Sequence, residues 1–168
     1  MVIKVSEIPE DGLQLEGVEC LREPYADPSW RLEHLALSVQ KDGNVVFVTG
    51  RLGARIPVTC SRCLEASQLT VTPEVDMRFV PRPEGRAEEL GTDDLETDVY
   101  DHDEIDLRTL VQGETELSLP MKLLCRPDCR GLCPTCGGNR NLVACACGDA
   151  NQDPRWAPLR ALADRLNR

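Results

Sequence analysis

Nine cysteines are the residues of this chain best equipped for chemistry: Cys20, Cys60, Cys63, Cys125, Cys129, Cys133, Cys136, Cys145 and Cys147. Eight of them fall in close pairs. Two residues separate Cys60 from Cys63 and Cys133 from Cys136, three separate Cys125 from Cys129, and one separates Cys145 from Cys147. A pair spaced by two residues presents both sulfurs to one ion from a single tight turn, and the amide N–H groups of that turn offset the thiolate charge. In Cys133-Pro134-Thr135-Cys136-Gly137-Gly138, Pro134 pre-sets the turn, and the glycine after the second cysteine permits the left-handed backbone that swings those amides round. Gly148 stands in the same position after Cys147.

Cys133, Cys136, Cys145 and Cys147 therefore read as a compact local zinc site. Cys60, Cys63, Cys125 and Cys129 are left for a second site, which would clip together segments about sixty residues apart. Closing so long a loop is entropically costly, which is where a metal clip helps most. The spacing leaves open whether Cys125 or Cys129 trades places with Cys133. Cys20 stands alone and reads as a small, buried or half-buried residue. Dithiol redox work is the competing use of such pairs, but no βαβ pattern precedes them, and eight thiols fill two ordinary four-thiolate sites. A catalytic zinc wants three protein ligands and an open position, usually with histidine. His34 lies in an alternating apolar stretch and His102 in an acidic run, neither at ligand spacing. No phosphate loop, dinucleotide fingerprint or nucleophile elbow occurs. The expectation is a protein that is not an enzyme, with Zn2+ in one or two structural sites.

The rest of the chain must position those thiols. Its 168 residues are 41% hydrophobic and 29% charged, the composition of a soluble globular protein. With 4% aromatic residues, the core must come from Val, Leu and Ile. No apolar run is long enough to cross a membrane, and the start has no secretion signal. A cytoplasmic location follows as an expectation, and in a reducing compartment disulfides give way to metal ligation. The net charge of −10 is unevenly spread: residues 74–106 carry net −10, while residues 120–168 carry net +4.

The first part alternates apolar and polar residues with period two: Leu35 to Val39, Val45 to Val48, Arg55 to Cys60, Ser67 to Thr72 and Val75 to Val80. Asp42-Gly43 marks a hairpin, Gly50 and Gly53 punctuate the next step, and Val2 to Val5 reads as an edge strand. Residues 1–81 are expected to form an antiparallel β meander or partial barrel. Residues 82–104 read as an acidic, solvated linker. Residues 105–168 are expected to hold a central helix, N-capped by Asp106 and running toward Leu119 and Pro120, then a zinc-ribbon-like module. A short terminal helix with Leu159, Leu162 and Leu166 on one face closes the chain. The fold class is α+β.

At the cysteines the chain resembles a known family. Ile56-Pro57-Val58-Thr59-Cys60-Ser61-Arg62-Cys63-Leu64 is similar to the cysteine-pair signature of the bacterial YceD family. The acidic segment leading into Ile105-Asp106-Leu107, then Leu117-Ser118-Leu119-Pro120, Gly131 to Gly137 and Asp153 to Leu159 resemble it in the same order. The resemblance implies a large ribosomal RNA subunit accumulation protein, acting in maturation or stability of 23S ribosomal RNA. It also implies that Cys60 and Cys63 belong to the recurring motif, while the tail cysteines match a cysteine-rich branch. The expected partners are 23S ribosomal RNA or its precursor, or a large-subunit ribosomal protein. Arg126, Arg130, Arg140, Arg155 and Arg160 are the candidate phosphate contacts. The alternatives are a protein-binding adaptor or chaperone that captures a basic ribosomal protein through Asp93, Asp94, Asp101 and Asp103, or a thiol redox protein.

Overall fold

A computed structural model describes residues 1–82, 97–147 and Arg155. The chain divides into two compact units: Met1–Val58 with Ala66–Leu123, and Thr59–Glu65 with Leu124–Arg168. These boundaries differ from the three stretches read off the sequence. The helix shares its core with the strands, and the first cysteine hairpin groups with the tail.

The first unit is a mostly antiparallel β structure with one helix. Two long strands, β3 (Arg31–Asp42) and β4 (Val45–Thr59), form its centre. They join through Gly43-Asn44, with Gly43 at φ +58° in the first central position, the pattern of a type II′ hairpin. Leu35, Leu37 and Val39 of β3 and Val46, Val48, Leu52, Ala54 and Ile56 of β4 are buried at alternate positions. That periodicity is what makes these segments strands with one face in the core. β4 runs unbroken through both glycines instead of ending at them. At Gly50 the backbone, at φ +149°, passes so close to β3 that a Cβ would meet the Ala36 carbonyl oxygen at 2.1 Å.

β2 (Leu13–Glu16) pairs with the other edge of β3, and β6 (Glu74–Pro81) pairs antiparallel with β4. β5 (Ala66–Val71) also pairs with β4. β5 and β6 thus share one partner and do not form the successive hairpin that a meander requires. Pro73, which has no amide to donate, marks the break between them. β7 (Thr97–Tyr100) lies parallel to β6, so the sheet order is β2-β3-β4-β6-β7, and the arrangement is not the purely antiparallel one expected.

One segment assigned to the acidic linker is a strand, β7, and a second strand straddles the end of that linker and the expected helix entry. This second strand, β8 (Glu104–Asp106), pairs antiparallel with β1 (Val2–Lys4), which confirms an N-terminal strand and gives it its partner. Between β7 and β8 the chain turns at His102 and Asp103, both at positive φ (53° and 65°). The Asp103 carboxylate holds this turn by accepting from the Ser6 amide at 3.1 Å and from the Ser6 hydroxyl.

Helix α1 spans Leu107–Leu117, two residues short of the expected Leu119. The Asp106 side chain caps it by accepting from the Arg108 amide at 3.1 Å. Leu107, Leu110, Val111 and Thr115 form its buried stripe. Thr115 is polar and fully buried: its hydroxyl donates to the Val111 carbonyl (2.7 Å) and lies 3.1 Å from the Tyr25 hydroxyl. With the Thr115 proton so engaged, Tyr25 is the donor of that second bond. No helix among the described residues is long and apolar enough to cross a membrane. The expected terminal helix lies outside the described residues.

Candidate metal centres

The second unit gathers all eight paired cysteines. Cys60, Cys63, Cys125 and Cys129 bring their sulfurs together in one cluster, and Cys133, Cys136, Cys145 and Cys147 in another, with all sulfurs of a cluster within 4.8 Å of one another. All are free thiols. Cys125 and Cys129 thus keep company with the first pair, and no exchange with Cys133 occurs. Cys20 stands apart and half-buried in the first unit, its thiol 3.1 Å from the Glu16 carbonyl oxygen.

The same local device presents each leading pair. In the first hairpin the Leu64 amide donates to the Cys60 carbonyl (2.9 Å) and the Cys60 amide to the Glu65 carbonyl (2.9 Å). In the second, Gly137 donates to the Cys133 carbonyl (2.9 Å) and Cys133 to the Gly138 carbonyl (2.8 Å). The residue after the second cysteine is left-handed in both, Leu64 at φ +60° and Gly137 at φ +71°. Glycine takes that conformation freely, whereas leucine is strained in it by about 1 kcal/mol. Leu64 is exposed, so packing does not demand a leucine there.

Electrostatics follow from these turns. Amides of Cys125 and Cys63 hold the Cys60 thiol down at about 6. Amides of Cys136 and Thr135 do the same for Cys133, also at about 6. Burial pushes Cys125 the other way, to about 12, with the neighbouring thiols adding to it. The hydrogen bond with Cys136, reinforced by burial, pushes Cys147 up to about 11. Cys129 is lowered and Cys63 raised in the first cluster, and Cys145 is raised in the second. Each cluster thus holds thiols moved in both directions, the behaviour of thiols packed together with a few amides to share.

The donor sets fit zinc. Four thiolates about 2.3 Å from one tetrahedral ion lie about 3.8 Å from each other. Cys60 and Cys129 sulfurs are 3.8 Å apart, and Cys63 and Cys125 sulfurs 3.6 Å. With four protein sulfurs each, both clusters match closed structural sites and leave no coordination position for a substrate. They differ in exposure. Cys60, Cys63 and Cys129 are buried and Cys125 half-buried, whereas Cys136 and Cys147 of the second cluster are exposed.

A polar layer that spacing rules do not reveal surrounds the sulfurs. The Asn141 side-chain amide lies 3.3 Å from Cys129 Sγ and donates to Asn139 Oδ1 at 2.8 Å. Its carbonyl oxygen accepts from the Arg130 amide (2.8 Å) and from Arg126 Nη2 (2.9 Å). Arg62 Nη1 donates to the Cys129 carbonyl at 2.9 Å. Such outer partners orient the ligating groups.

The arginines put forward as phosphate contacts separate accordingly. Arg126 is engaged with Asn141 and, at 3.4 Å, with Asp128. Arg130 and Arg140 are exposed, with guanidinium groups that form no ion pair among the described residues. Arg155 is exposed and has a bonding partner; Arg160 lies outside the described residues. Of the carboxylates suggested for protein capture, Asp101 pairs with Arg82 (2.7 Å) and Asp103 with Ser6. Asp93 and Asp94 lie outside the described residues.

A mostly antiparallel β unit with one capped helix, and a second unit organised round two cysteine tetrads, define a protein built on paired cysteine clusters. The chain belongs to the YceD family: residues 48–163 match the family described as large ribosomal RNA subunit accumulation protein YceD. Uncharacterised proteins of Mycobacterium bovis and Mycobacterium tuberculosis are each 35% identical over 127 residues, covering 74% of this chain and 59% of theirs. The chain therefore spans less than two thirds of the length of these relatives. The chloroplastic large ribosomal RNA subunit accumulation protein YCED homolog 1 of Arabidopsis thaliana is 30% identical over 63 residues, covering 38% of this chain and 20% of that protein. No solved structure matches the chain.

Proposed function

We propose that the protein is a non-enzymatic factor of large-subunit biogenesis, acting in the cytoplasm, that supports accumulation or maturation of 23S ribosomal RNA. In this reading each tetrad holds one structural zinc ion. The observation that carries it is the family match over residues 48–163, a span that contains all eight clustered cysteines. Closed four-sulfur donor sets favour a scaffold over a catalytic metal or a dithiol couple. The zinc ions fix a small, locally basic unit, and the exposed Arg130 and Arg140 supply charge for phosphate.

The test is depletion followed by quantification of 23S ribosomal RNA and its precursor. Depletion is expected to lower mature 23S, wild type to restore it, and a Cys60→Ser/Cys63→Ser variant to fail. Unchanged 23S after depletion would remove the assignment. Direct contact is tested separately by a salt titration with 23S fragments. Affinity should fall with salt and weaken further in Arg130→Glu/Arg140→Glu, and no binding at low salt would eliminate direct contact.

A further inference from the structure

Helix α1 contains a glycine for which the fold supplies no reason. Gly113 lies mid-helix, where glycine is a poor former, its φ is not positive, and a Cβ built on it would meet nothing within 4 Å. Neither backbone conformation nor close packing excludes a side chain. Gly113 borders two open spaces in the first unit, one beside Tyr25 and Gln112 and the other a groove of about 580 Å³ bounded by α1, β7 and β8. Met77, Phe79, Ile105 and Leu110 line its apolar part, and Leu117, 81% exposed, stands at its end.

The charged groups of the lining are carboxylates, with His102 beside them. Asp98, Asp101, Glu104, Asp106 and Glu114 border the groove, with no lysine or arginine among the lining residues. Asp101 and Asp106 are already matched, by Arg82 and by Arg108 with the N-terminal amine. Glu104 and Glu114 form no ion pair among the described residues, and Asp98, which accepts from the Val99 amide at 2.8 Å, feels Arg82 only at longer range than an ion pair. Burial pushes the Glu114 carboxyl above its ordinary value, so an arriving cation would favour its charged form. An apolar trough rimmed by unmatched carboxylates repels a phosphate backbone and complements lysine or arginine flanking an aliphatic side chain.

We propose that this groove is a docking site for a basic peptide segment of a protein partner, its aliphatic side chain seated beside Gly113 and its cations on Asp98, Glu104 and Glu114. The proposal deepens the biogenesis reading by adding a protein ligand, but it does not depend on zinc or on RNA contact.

The test uses the full chain and a dye-labelled synthetic peptide of alternating lysine and leucine, followed by fluorescence anisotropy. Binding is expected to weaken with salt and to vanish when the lysines are replaced by glutamine. Gly113→Leu adds bulk at the groove's helical wall without altering charge. It should reduce affinity about tenfold or more, a difference of about 1.4 kcal/mol, while melting no lower than wild type. Glu104→Lys/Glu114→Lys should do the same from the electrostatic side, so the proposal has a second variant should either fold poorly. Unchanged peptide affinity in folded Gly113→Leu would overturn it, because general attraction to an acidic chain would then explain the binding. A concentration-dependent dimer abolished by Gly113→Leu would give the groove to a second copy and also overturn it, as would RNA binding lost in that variant. Loss of the groove proposal would leave the 23S depletion result standing, and the reverse also holds.

Discussion

Replacing Cys63 with serine removes one sulfur from the buried tetrad, and its cost follows from chain length. Cys63 and Cys125 are 62 residues apart. Treating the ion as a cross-link, the chain-entropy relation assigns a loop of that size about 4 kcal/mol. The intervening chain packs into the core it shares with residues 1–58 and so is already partly closed, which makes that figure a ceiling. For the second tetrad, the loop from Cys136 to Cys145 is only nine residues, and the same relation gives about 2.5 kcal/mol. Cys63→Ser should therefore lower the melting temperature by up to about 16 °C, and Cys147→Ser by little more than half as much, at roughly 2–4 °C per kcal/mol. Each variant should also retain one zinc per chain instead of two by elemental analysis. Hydrogen exchange at the Cys60 and Leu64 amides should accelerate in Cys63→Ser, with those of Cys133 and Gly137 slower to respond. The reasoning is refuted if Cys63→Ser melts with wild type, if the exposed tetrad is the costlier one to break, or if the purified protein carries no transition metal and ignores chelators.

Three further outcomes are expected. Leu64→Gly should stabilise the protein by up to about 0.5 kcal/mol, because relief of the left-handed leucine slightly exceeds the added freedom of glycine in the unfolded chain; a lower melting temperature would dismiss the strain. Thr115→Val should cost about 1–3 kcal/mol by leaving the buried Tyr25 hydroxyl unmatched, and adding Tyr25→Phe should recover part of that loss in a double-mutant cycle. The Ser6 hydroxyl and amide hold the Asp103 carboxyl below its ordinary value, so its contribution is complete above the unfolded-state value, about pH 4. It is lost as pH falls through the lower folded-state value. The melting temperature of Asp103→Asn should accordingly decline less than that of wild type on acidification below pH ~4, and identical acid limbs would exclude the contact.

What was legible in the sequence was local. Leu35, Leu37 and Val39 announce β3 by alternation, Asp42-Gly43 announces the hairpin, and Asp106 announces the helix start, each within a few residues. The thiol pairs were legible for the same reason, since a knuckle is one turn long. Which pairs share a cluster is a tertiary fact that spacing left open. β7 and β8 escaped notice because they are short and acidic, and because their turn uses His102 and Asp103 where glycine or asparagine would have signalled it. The contact that steadies this turn comes from Ser6, 97 residues away. The parallel pairing of β6 with β7 likewise depends on a connection whose path no local pattern encodes. Asn141 was invisible altogether: an asparagine in a polar loop carries no spacing signature, and its role emerges only beside Cys129 and Arg126.

The unit that holds the thiols is assembled from two stretches of chain, Thr59–Glu65 and Leu124 onward, with Ala66–Leu123 of the β unit between them in sequence. It cannot be lifted out as a cassette. A fragment starting at Leu124 would carry only half of the buried donor set, and a fragment ending before it would strand Cys60 and Cys63 without companions. Translation must deliver residue 129 before the first hairpin's thiols can meet their companions, so that cluster closes only after residues 66–123 have been made. An excised version would need Thr59–Glu65 grafted back by circular permutation.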